Sequence, residues 1–159
     1  MATTVLATRN LPSYRVYCRS APQYNLAVGE GVAILAKIDA NDDRQHWYKD
    51  DTYSNVLDKL GYPLFSLVNK ATGQTLKHSF SHPLPVKLVD YTPNVFDESI
   101  LWSLANDRGE NYRAIRSSQC ESHLEAAPLN IDKFYLGAII VGGPWIDTYD
   151  QQWKIEPFY

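Results

Sequence analysis

The stretch DDRQHWYKD, residues 42–50, sets a tryptophan into a run of charge, and its two counterparts decide the fold. Trp47, Trp102 and Trp153 are separated by 55 and 51 residues. The apolar runs VAIL (32–35), VKLV (86–89) and AIIV (138–141) end twelve or thirteen residues before them. Further upstream stand Leu26, Leu76 and Leu124, spaced by 50 and 48. Each leucine is preceded by another strand-like run: YRVY (14–17), FSLV (65–68) and YRAI (112–115). Four short strands per unit, repeated three times at a period near fifty residues, is the reading that follows.

One four-stranded unit cannot cover its own apolar face, so three must share a core. Threefold closure into a small barrel with a hairpin cap removes most open sheet edges. That architecture is an all-β fold, the β-trefoil, expected over residues 14–159 after a short leader at 1–13. A helical or α/β arrangement fails because the apolar runs are short, β-branched and bounded by turn residues. Only DDTYSNVLDKL (50–60), between the first two units, suits a helical turn. A tryptophan recurring at the last strand of every unit is most simply a core ring. Gln45 and Gln151, two residues ahead of it, then use their amides on backbone groups. The middle unit, Ile100-Leu101-Trp102, keeps the ring and loses the amide.

Composition agrees with this architecture. Across 159 residues, 13% are aromatic, which suits pleated, half-buried surfaces. The net charge of −3 gives no electrostatic reason to expect nucleic acid or an acidic membrane surface. The opening MATTVLATRNLPSY has neither a charged n-region nor an apolar h-region, so the sequence predicts no secretory signal, and no apolar run suits a membrane span. Cys18 and Cys120 are the only cysteines, and two free thiols in a reducing compartment are expected.

A trefoil with Gln-x-Trp ending its repeats resembles the ricin B-like carbohydrate-binding modules, and more closely the Euonymus-type lectins of plants. The resemblance is carried by YRVYCRSAPQYNLAV, RQHWYKD, FSLVNKATGQTLKHS, PVKLVDYTPNVFDESILW and QQWKIEP, in that family's order, over residues 14–157. It implies a non-catalytic, stress-related lectin of the cytoplasm and nucleus, taking mannose-rich or galactose-containing glycans or glycoproteins as partners. It implies no cofactor, and leaves a homodimer as a candidate assembly.

A hexose offers an apolar face to an aromatic ring and a rim of hydroxyls to carboxylates and amides. In ricin-type units the carboxylate follows the second strand, the ring follows the third, and the amide sits just before Gln-x-Trp. The third unit fits best. Glu125 follows Leu124, Trp145 follows AIIV, and Asp150-Gln151 precede Trp153; Asn130 and Asp132 add polar groups on the intervening loop. The second unit offers Tyr91 with Asp97 and Glu98, and ranks second. The first offers Asn41, Asp42, Asp43 and Gln45 without an aromatic between Leu35 and Trp47, and ranks third. The chain departs from the family in this region. VGGPW (141–145) replaces an aromatic-rich LWEW-like stretch, LEAAPLNID (124–132) stands for an LNFDAFHG-like one, and Asp150 takes the place of an asparagine. The alternative reading is therefore a trefoil interaction scaffold that has lost sugar binding.

Other chemistry finds little support. His78 and His82 are separated by Ser79-Phe80-Ser81 and followed by Pro83, which argues against a helix aligning them on a metal. Gly142-Gly143-Pro144 reads as a turn rather than a phosphate loop. Asp42-Asp43 and Asp97-Glu98 read as turn residues rather than a hydrolytic pair. A trefoil protease inhibitor would call for a secreted chain with a disulfide bridge.

Overall fold

The structure, a computed structural model, describes residues 11–78, 85–105, 107–119, 122–127 and 139–158. Each repeat supplies four strands. The first gives β1 (Tyr14–Cys18), β2 (Tyr24–Gly29), β3 (Val32–Lys37) and β4 (Trp47–Asp50). The second gives β5 (Ser66–Asn69), β6 (Gln74–Lys77), β7 (Lys87–Asp90) and β8 (Trp102–Ala105). The third gives β9 (Ala114–Ser117), β10 (His123–Ala127), β11 (Ile139–Gly143) and β12 (Trp153–Pro157).

The first and fourth strands of the repeats close a barrel in the order β1, β4, β5, β8, β9, β12 and back to β1. Within each repeat those two strands meet at the tryptophan: Tyr14 opposite Trp47, Phe65 opposite Trp102, Arg113 opposite Trp153. The second and third strands form the hairpins β2–β3, β6–β7 and β10–β11. These join one another, β11 pairing with β3 at Ile139 and Ile34 while Val86 N donates to the Ile140 carbonyl at 3.1 Å. A six-stranded barrel with three linked hairpins is the β-trefoil that the repeat period predicts.

The three tryptophans are fully buried, as are Leu26, Leu76 and Leu124. The two marker sets are joined directly. Trp47 Nε1 donates to the Leu26 carbonyl at 2.8 Å, Trp102 to Leu76 at 3.1 Å and Trp153 to Leu124 at 2.8 Å. Each indole thus fills the core and ties its repeat's fourth strand to its second. Burying such a ring is favourable only because the N–H finds a partner.

The charge ahead of Trp47 has a local explanation. Asp43–Gln45 is a single 3-10 turn whose N-cap, Asp42, accepts from Arg44 N at 3.0 Å. Asp43 lies 3.5 Å from the Lys70 ammonium. The second repeat repeats the device over Glu98–Ile100, with Asp97 accepting from Ser99 N at 3.0 Å. The third keeps the turn over Tyr149–Gln151, but its N-cap Thr148 makes no side-chain bond. These carboxylates set the backbone that delivers the next tryptophan.

The 50–60 segment, where the sequence suits a helical turn, forms two i to i+3 turns, at Asp51–Ser54 and Tyr53–Val56. Its anchor is Asp58, whose side chain is fully buried. One carboxylate oxygen accepts Leu60 N and Tyr62 N, both at 2.9 Å. The other accepts Ser103 Oγ at 2.5 Å and faces the Arg116 guanidinium at 3.3 Å. Burial alone would raise this acid, yet the bonds from Ser103, Tyr62 and Leu60 and the charge of Arg116 hold it below the usual carboxylate range. Cys18 is a free, buried thiol donating to the Tyr149 carbonyl at 3.1 Å. Burial pushes it up to about 11, which keeps it a protonated thiol at neutral pH. Cys120, His82 and residues 1–10 of the expected leader lie outside the described residues. His78 is buried with Nε2 2.8 Å from Gln119 Oε1.

Two outcomes follow from this packing. Trp102→Phe strands the Leu76 carbonyl and removes ring volume, so urea denaturation should show a loss of about 2–4 kcal/mol with an unchanged slope. Asp58→Asn leaves Arg116 buried without its counter-charge and should cost about 3–5 kcal/mol at neutral pH. Because the folded acid titrates low, its contribution is complete above the ordinary carboxylate range and is lost as pH falls through the folded value. The gap between wild type and Asp58→Asn in a stability–pH series should therefore be flat at neutral pH and narrow only on the acid side.

Candidate functional site

The third repeat brings Glu125 from β10, Trp145 from the loop after β11, and Asp150 and Gln151 from the 3-10 turn into one region. Gln151 is fully buried and uses both ends of its amide. Its Oε1 accepts from Ile146 N at 2.8 Å, while Nε2 donates to the Pro144 carbonyl at 2.5 Å and to Glu125 Oε1 at 2.9 Å. One side chain thus clamps the loop on either side of Trp145 and orients the carboxylate. A Cβ added at Gly143 would stand 2.8 Å from Glu125 Oε1, so only glycine leaves the carboxylate where it is.

Trp145 is partly exposed. Its ring centre lies 5.3 Å from that of buried His123, tilted by 47°, and His123 Nδ1 is 3.2 Å from the Gly143 carbonyl. The imidazole backs the indole and leaves part of it in solvent. Glu125 is half-buried, and burial raises its pKa; the Gln151 hydrogen bond opposes this, and the charge of Asp150 adds to it. Two carboxylates and a supported ring make a surface suited to hydroxyls beside a patch of C–H groups. Asn130 and Asp132 lie outside the described residues.

The other repeats carry the same frame with different chemistry. In the first, Gln45 Oε1 accepts from Asp39 N at 3.0 Å and Nε2 donates to the Lys37 carbonyl at 2.8 Å, matching Ile146 and Pro144 in the third. Ala27 follows Leu26 where Glu125 follows Leu124, so the amide oxygen instead takes Asn25 Nδ2 at 2.9 Å. Ile38 occupies the position of Trp145. In the second repeat, Lys77 stands at the carboxylate position and buried Ile100 at the amide position. Tyr91, the expected ring, is 5% exposed and donates its hydroxyl to Asp50. Asp97 is engaged as the turn cap, accepting Ser99 Oγ at 2.6 Å. The ligand-facing role expected for the second repeat is therefore corrected: its ring is a packing residue. His123 and Gly143 were not singled out from the sequence for this site. Neither carries a local signal, since His123 reaches Trp145 only through the β10–β11 pairing that sets it opposite Gly143.

No family model matches the chain. It is 41% identical over 153 residues to the Ricin B-like lectin R40G3 of Oryza sativa subsp. japonica, covering 93% of this chain and 74% of that protein. It is 42% identical over 154 residues to the Ricin B-like lectin EULS3 of Arabidopsis thaliana, covering 91% of this chain but 47% of that protein. The chain therefore spans most of the first relative and about half of the second. Among solved structures, the BEL β-trefoil superposes with a TM-score of 0.67 at 14% identity, covering 92% of each chain, a likeness of fold alone. On the extent and identity of the match to its rice relative, the chain belongs to the ricin B-like lectins, a family of non-catalytic carbohydrate-binding proteins.

Proposed function

We propose that the chain binds carbohydrate through its third repeat, with Trp145 as the platform for a sugar face and Glu125 and Asp150 as hydroxyl acceptors. The observation that carries this reading is the Gln151 clamp, which fixes the Trp145 loop and the Glu125 carboxylate with one buried amide. Gln151 is a positioning residue, since its amide is spent on the protein. Mannose-rich or galactose-containing glycans are the ligands proposed, with Asn130 and Asp132 as further contacts. A site of this size should hold a monosaccharide near millimolar, about −4 kcal/mol, so useful affinity calls for a longer glycan or several copies. The cytoplasm and nucleus are the proposed location, with a role in stress responses, and the free Cys18 thiol suits such a reducing compartment.

A glycan array on the purified chain, followed by titration of the best glycan, tests the reading. Trp145→Ala and Glu125→Gln should each weaken binding by about tenfold or more while far-UV and near-UV spectra stay native. Silence across the array, or binding that survives both substitutions together, rejects the site. The pH profile gives an independent check. Glu125 accepts hydroxyl protons in its ionised form, and its pKa is raised by burial. Binding should therefore be complete at neutral pH and fall as pH drops through a value above that of a free glutamate. Glu125→Gln should lose this step.

A further inference from the structure

The end of the barrel away from the hairpins departs from threefold symmetry in its chemistry. The strand partners of the tryptophans, Tyr14, Phe65 and Arg113, form one set of equivalent positions. The residues two beyond each tryptophan, Lys49, Leu104 and Ile155, form another. In each set two members are aromatic or aliphatic and the third is a cation. Four of these six, Lys49, Phe65, Leu104 and Arg113, line a cavity of about 280 Å³, completed by Tyr62 and Pro63 from the linker that Asp58 anchors. Buried Phe65 forms an apolar floor, and the Lys49 ammonium sits 4.9 Å from its ring centre.

Among the described residues, the ion pair of each cation is with a surface carboxylate. Lys49 Nζ is 3.1 Å from Asp51 and the Arg113 guanidinium is 3.3 Å from Asp107, and those carboxylates are 55% and 48% exposed. Such exposed pairs are weak, so an arriving anion displaces them at little cost. A guanidinium is a planar fork that matches a carboxylate, and the ring floor and Leu104 suit a flat apolar body. The volume lies just under the roughly 300 Å³ at which drug-sized pockets begin, which limits the ligand to one or two rings. From this arrangement we propose a second binding site, at the open end of the barrel, for a small aromatic carboxylate. It shares no residue with the third-repeat site and stands whether or not that site binds sugar.

Calorimetric titration with 2-naphthoate tests it. Wild-type protein should bind with a dissociation constant of about a millimolar or below. The neutral 2-naphthamide should bind about tenfold more weakly, because it forfeits the charge-assisted bonds. Lys49→Leu with Arg113→Tyr puts at both positions the residue types of the other repeats. This pair should fold with an undiminished melting temperature and lose at least tenfold in naphthoate affinity. Lys49→Met alone, which keeps the side-chain stem, should lose affinity in the same direction if the pair proves unstable. Asp51→Asn with Asp107→Asn removes the competing carboxylates and should tighten binding about threefold. Equal binding of naphthoate and naphthamide, full affinity in the folded Lys49/Arg113 variant, or no binding at ten times the expected constant would overturn the proposal. So would loss of naphthoate binding in Trp145→Ala, which would move the ligand to the third repeat.

Discussion

The bond from each tryptophan Nε1 to a leucine carbonyl is the constraint on which the rest of the chain depends. It recurs three times, from Trp47 to Leu26, Trp102 to Leu76 and Trp153 to Leu124, at 2.8–3.1 Å. An indole N–H has one donor and no acceptor, so a buried tryptophan needs one carbonyl in one direction. Meeting that need fixes the distance and angle between the second and fourth strands of a repeat. With that relation fixed, the barrel strand and the hairpin strand cannot slide independently. A one-residue slip would put the indole out of reach and turn the strand's apolar side outward.

Around this fixed relation the repeats diverge at positions that do not make the indole bond. The residue after the leucine is Ala27, Lys77 or Glu125. The residue two before the tryptophan is Gln45, Ile100 or Gln151. The first three lie on the hairpin strands and the other three end the 3-10 turns, and none of the six supplies the indole N–H or the carbonyl it bonds. The fold therefore tolerates one repeat that brings a carboxylate and an exposed ring together, a second that buries its ring, and a third that closes its amide on a neighbouring asparagine. Divergence of the loops is a consequence of how firmly the core is set.

The period of tryptophans and leucines was legible in the sequence because buried residues repeat when the geometry that buries them repeats. The amide role of Gln45 and Gln151 was legible for the same reason, since two of three repeats present it at one offset. Tyr91 was not. Its place after a strand matches that of Trp145, but its exposure depends on Asp50, 41 residues away in the preceding repeat. Nothing local encodes that partner. The support that His123 gives Trp145 is equally non-local, spanning two strands of a hairpin. The 50–60 segment shows a third limit. Its short turns were legible, but not the role of Asp58, which spends its carboxylate on two linker amides, Ser103 and Arg116. Ser103 and Arg116 are 45 and 58 residues away, so nothing in the segment itself marks that acid as buried.

The same indole bond explains how two different surfaces can share one strand. In β12 and its approach, Gln151 lies two residues before the tryptophan and faces Glu125, while Ile155 lies two residues after it and packs on the core. In β4 the residue two after the tryptophan is Lys49, at the open barrel end, and Gln45 stays in the frame of its own repeat. The ring stands between these positions, fully buried and held at both its face and its N–H. The two regions have no lining residue in common, so a substitution in one removes no contact from the other. Chemistry at the hairpin side and chemistry at the barrel mouth are consequently free to change independently. The charged residues at Lys49 and Arg113 then need no explanation from the sugar-facing loops, and the acidic pair at Glu125 and Asp150 needs none from the barrel mouth.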